Sequence, residues 1–87
     1  MNGQGQGDKQ IRENSPVWRA VRAFGGWTPL AVVVGTTEGA VRKWDRARAK
    51  GGCGGQIPSD KQAIILREAE QRGLELGAED LIAEAWG

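Results

Sequence analysis

The 87-residue chain has no histidine and one cysteine, Cys53. An intrachain disulfide is therefore excluded, and the histidine–cysteine spacings of common zinc sites are absent. Cys53 has no histidine to take its proton, and no plausible nucleophile–base pair is seen. Neither an enzyme nor a metal or cofactor site is expected. Long apolar runs are also missing. No segment approaches the ~20 apolar residues of a membrane span, and the opening MNGQGQGDKQ lacks the apolar stretch of a signal peptide. Together with the cysteine poverty, which suits a reducing compartment, these absences read as a cytoplasmic protein with no membrane partner. No internal repeat is found.

What is present is enough for one small domain. A chain of this size buries only ~60% of its unfolded surface. Without disulfides or metals, its stability must come from a compact helical core or from a partner chain. The formal charge of +1 conceals a division. Residues 1–50 hold nine Lys/Arg against four Asp/Glu, and residues 51–87 hold three against seven. A basic working face and an acidic remainder fit that layout, as do ordinary solvated helix faces.

Residues 1–14 are rich in Gly, Gln, Asn and charge and carry no periodicity, which predicts a disordered arm. Ser15-Pro16 then starts a helix over about 16–24, with Val17, Val21 and Phe24 at helical spacing and Gly25-Gly26 as its end. Thr28-Pro29 repeats the device: Thr28 is the expected N-cap of a helix over 29–34, stopped by Gly35. Thr36 or Thr37 can cap the next helix, about 37–48, whose first turn holds Glu38. Val41 and Trp44 share one face of it, and Arg42, Lys43, Arg46 and Arg48 load the other. Lys50-GGCGG-Gln56 reads as a hinge or plain linker. A phosphate loop is excluded there, because no Lys-Ser/Thr follows and no strand precedes. Ser59-Asp-Lys-Gln62 reads as a capping box opening a helix over 59–72. A last helix over 77–86 carries Ala78, Leu81, Ile82, Ala85 and Trp86 as one stripe.

The segment Val32 to Trp44, VVVGTTEGAVRKW, is thus an apolar run broken at a glycine and restarted with positive charge. Two short helices across a tight turn, the second basic on its outer side, make a helix-turn-helix. Ala31 is small where the second helix crosses close to the first. Gly35 lets the chain turn, and Val41 and Trp44 plug the second helix into the core. Arg42 has the fork that matches guanine O6/N7, and Lys43 and Arg46 suit phosphates. Arg48 joins them on the basic side.

The stretch FGGWTPLAVVVGTTEGAVRKW, followed by IPSDKQAIILREAEQRGLELGAEDLI, resembles the Cro/lambda-repressor superfamily, especially small Cro-like regulators of bacteria and prophages. The resemblance covers about 16–83. It implies an all-α, compact five-helix domain over 15–87 that binds double-stranded DNA as a homodimer and acts on transcription; a chain this short leaves no room for an appended effector domain, so no small-molecule effector is expected. Thr37 would stand at the recognition helix N-terminus, Glu38 would enter the major groove first, and Thr28 would touch a phosphate. Family members often have Gln where Glu38 stands and a small polar residue or Ala where Gly39 stands. Glu38 accepts from cytosine N4 but repels phosphate. Gly39 lowers helix stability by ~1 kcal/mol yet permits close approach to DNA. Leu81, Ile82 and Trp86 are the expected dimer contacts, with Trp27 as another possible anchor and a monomer on a half-site as the alternative. The competing function is a protein-interaction module, an antitoxin or adaptor, with Glu68, Glu70, Glu75, Glu79, Asp80 and Glu84 as its surface.

Overall fold

Proline and glycine punctuate the chain where a helix must begin or stop. The computed structural model describes residues 13–82, and among these the chain forms five α-helices and no strand. They are α1 (Pro16–Phe24), α2 (Trp27–Val34), α3 (Glu38–Trp44), α4 (Ser59–Arg72) and α5 (Ala78–Leu81), with a 3-10 turn at Arg48–Lys50 between α3 and α4. Pro16 occupies the first position of α1, where its missing N–H is not needed. Ser15 precedes it in extended backbone, but its hydroxyl makes no cap bond and is buried without a partner. The last two residues of the expected arm are tied to α1: Arg19 donates to the Asn14 carbonyl and Arg22 to the Glu13 carbonyl. Residues 1–12 of that arm lie outside the described residues.

The turn between α2 and α3 depends on Gly35, at φ 74°. Its N–H donates back to the carbonyls of Ala31 and Val32, and the Thr36 N–H donates to Ala31 as well. A side chain at that φ would be strained. Thr37 caps α3 by accepting from the Ala40 N–H at 3.1 Å.

The core draws on every helix: Val17, Ala20, Val21 and Phe24 of α1, Leu30, Ala31 and Val34 of α2, Val41 and Trp44 of α3, Ile65 and Ala69 of α4, and Leu81 of α5, with Ile57 before α4. The residues read as the joint of the two central helices, Ala31, Val41 and Trp44, are all buried. Burying a side chain such as Leu30 or Ile65 contributes ~1.5–3 kcal/mol. Helix α2 sits centrally, packed on α1, α3 and α4, and α1 also packs on α5. Helix α3 leans chiefly on α2, so its other side is open. Arg19 closes the far end by donating to Asp80 at 2.9 Å, and the second oxygen of Asp80 accepts from the Gly77 N–H.

Several local expectations are corrected. Helix α2 starts at Trp27 with Gly26 as its cap, so Thr28 lies inside its first turn. Helix α3 ends at Trp44 rather than 48, because the Trp44 and Arg46 carbonyls are taken by the N–H groups of Gly55 and Gly54. Those two glycines are buried, and the Gly55 carbonyl in turn accepts from the Val17 N–H. The GGCGG segment is therefore a fastener between the end of α3 and the start of α1, not a hinge. Gly52 is required by space: a Cβ there would lie 2.1 Å from the Arg46 carbonyl oxygen. The capping box at Ser59 does not form. Pro58 precedes the helix, and the Gln62 amide donates to the Ile57 carbonyl instead. Helix α5 ends at Leu81, and residues 83–87, with Trp86, lie outside the described residues.

Candidate functional site

The open side of α3 collects the charge that the sequence placed there. Glu38 is its first residue, and Arg42 and Lys43 follow one turn later. Because the helix stops at Trp44, Arg46 follows in the turn beyond and Arg48 stands on the 3-10 turn. Arg42, Lys43, Arg46 and Arg48 are all exposed. Arg48 is bound locally, donating to the Gln56 side-chain oxygen at 2.8 Å. Lys43 and Arg46 make no side-chain bond among the described residues and offer their charge outward.

Arg42 is held more firmly than its exposure suggests. Its Nε–H donates to Glu38 Oε2 at 2.7 Å, and its guanidinium lies 4.7 Å from the centroid of the Trp27 ring. Glu38 Oε1 accepts from the Thr28 hydroxyl. Two residues of α2 and two of α3 thus form one cluster across the turn. The Trp27 ring is in turn set by an edge-to-face contact with Trp18, centroids 5.3 Å apart. The Thr28 hydroxyl, and next the Arg42 guanidinium, hold the Glu38 carboxyl below its ordinary range. Glu38 therefore keeps its charge to a lower pH than a free carboxyl would.

Thr37 has its side-chain oxygen engaged as the cap, and Thr36 is half-buried at the turn. Gly39 is different. It is exposed, it has no left-handed φ, and a Cβ built on it meets only the Thr37 hydroxyl, at 3.9 Å. Nothing inside the fold requires glycine at this position.

Trp27 belongs to the cluster, a place that neither a core position nor a dimer anchor describes. Its partner Arg42 is distant in sequence and meets it only because α3 folds back on α2. The expected dimer contacts separate. Leu81 is 2% exposed and part of the core, whereas Ile82 is 74% exposed. Leu81 is therefore withdrawn as a surface contact, because its side chain already packs inside this chain.

No group of histidine, cysteine, aspartate and glutamate side chains suited to a metal occurs among the described residues. None of the described helices is long and apolar enough to cross a membrane. No protein-family model, curated protein or solved structure matches the chain.

Proposed function

We propose that the protein is a sequence-specific regulator that binds double-stranded DNA through a helix-turn-helix formed by α2 and α3, with α3 as the recognition helix. The observation that carries this reading is Gly39. An exposed glycine in a helix lowers stability and has no internal reason to be there. Positions that break a local rule without structural return are where a functional site is expected. A missing side chain lets a partner come close to the backbone, and Lys43 and Arg46 flank that approach with unpaired positive charge. In this reading Arg42 contacts guanine, Lys43 and Arg46 contact phosphates, and the protein works in the cytoplasm as a homodimeric repressor that occludes its operator. Two recognition helices about 34 Å apart would read an inverted repeat.

The test is selection from random double-stranded DNA, followed by sequencing of the retained duplexes. An enriched inverted repeat with half-sites about one turn apart is expected, with binding that weakens steeply with salt. The double variant Arg42→Ala with Lys43→Ala should abolish retention. A second reading, a protein-interaction module, is favoured by the exposed Val32 and Ile82 and by the acidic second half. Partner binding that survives in the double variant, with no enriched DNA, would select it.

A further inference from the structure

We infer that Glu38 and Trp27 are positioning residues that present the Arg42 fork to a guanine, and that Glu38 suppresses binding to DNA of unrelated sequence. This rests on the DNA-binding reading above and assigns how that same face discriminates.

The reasoning starts from a carboxylate placed on a basic face. A surface ion pair one helical turn apart stabilises a protein little, and a carboxylate repels the phosphates such a face would attract. Yet Glu38 is bound from two helices, by Thr28 and by Arg42. Arg42 is correspondingly restricted. The guanidinium carbon lies over the Trp27 ring and the Nε–H is taken by Glu38. Its two terminal nitrogens make no bond among the described residues, and they form the fork that pairs with guanine O6 and N7. A phosphate approaching Arg42 meets the Glu38 charge as well, so the pair attracts it weakly. Guanine presents neutral acceptors and meets less of that repulsion than an ionised phosphate does. The arginine is also already oriented, so less rotamer freedom is lost on contact. Lys43 and Arg46 remain available for phosphates.

The experiment compares two duplexes of equal length, the selected sequence and an unrelated one, by fluorescence anisotropy over roughly 50–200 mM salt. The proteins are the unaltered chain, Glu38→Gln, Trp27→Leu and Trp27→Phe. Glu38 is half-buried at the helix surface and contributes nothing to the apolar core, and glutamine keeps its length and an acceptor oxygen, so Glu38→Gln leaves the fold intact. It frees one cation for phosphate, and one more neutralised phosphate is worth about fivefold near 0.15 M salt and steepens the log–log salt slope by about 0.9. Glu38→Gln is therefore expected to bind the unrelated duplex about fivefold more tightly. The ratio of selected to unrelated affinity should fall roughly tenfold, the order of discrimination that a bidentate arginine–guanine pair supplies. Trp27→Leu should lose most of the ratio, and Trp27→Phe, which restores a flat ring under Arg42, should recover it. An unchanged ratio in Glu38→Gln, or an equal loss on both duplexes, overturns the inference while leaving DNA binding standing. An unaltered protein that binds the two duplexes equally overturns the DNA-binding reading itself, and the inference with it.

Discussion

Replacing Gly39 with alanine should make the protein more stable and its DNA complex weaker. The new methyl group makes one ordinary van der Waals contact, with the Thr37 hydroxyl at 3.9 Å. The backbone there is ordinary helix with no left-handed φ, so alanine introduces neither clash nor strain. Glycine in a helix is less favourable than alanine by roughly 0.5–1 kcal/mol. In a domain of this size that corresponds to a rise in melting temperature of about 2–8 °C. In the proposed complex the same methyl would stand between the α3 backbone and the DNA. Displacing one good contact by a few tenths of an ångström loses on the order of 1.4 kcal/mol, or tenfold in affinity. Thermal unfolding followed by circular dichroism at 222 nm reads the first effect, and a titration of the selected duplex at fixed salt reads the second. Stabilisation with unchanged affinity would refute the close-approach argument. Loss of stability would mean that Gly39 has a role within the fold after all.

Three further outcomes follow from the packing and the charges. Gly52→Ala drives a Cβ into the Arg46 backbone and should destabilise by about 1–3 kcal/mol or more, read as a lower urea midpoint. Asp80 is held below its ordinary value of 3.8 by the Gly77 N–H and, beyond that, by Arg19. Its folded pKa is depressed, so its stabilising effect is full well above 3.8 and is lost as pH falls through the folded value. Asp80→Asn should therefore melt lower than the unaltered protein at pH 6, with the gap closing toward pH 2 in a thermal series. Leu81→Ala should lose about 2–5 kcal/mol as a core truncation. Ile82→Ala should stay within about 0.5 kcal/mol, and a change in sedimentation without a change in monomer stability would place Ile82 at a contact between copies.

The helix boundaries at Pro16, Phe24, Val34 and Arg72 were legible because they depend on a few adjacent residues. Pro16 fixes φ and lacks an N–H, and Gly25, Gly35 and Gly73 tolerate the left-handed φ that ends a helix, wherever such residues stand. The apolar spacing of Val17, Val21 and Phe24, and of Val41 and Trp44, needs only the helical period to select the buried side. For the same reason the charged side of α3 was readable, Arg42 and Lys43 included. Local reading failed where the deciding partner came from elsewhere in the chain. The end of α3 was misjudged because nothing within 45–48 marks it; the donors that stop it belong to Gly54 and Gly55. The same bonds turn a glycine-rich segment, flexible by composition, into a fastened loop. Leu81 and Ile82 are adjacent and equally apolar, and a four-residue helix has too little period to tell them apart. Their separation into core and surface follows from the docking of α5 on α1. The Thr28–Glu38 and Trp27–Arg42 contacts likewise exist only because α2 and α3 fold against each other about Gly35. Residue type and local spacing therefore determined the helices and their charged and apolar sides. Tertiary packing decided which groups meet, because a contact between distant residues depends on how whole elements dock and leaves no periodic trace in either segment.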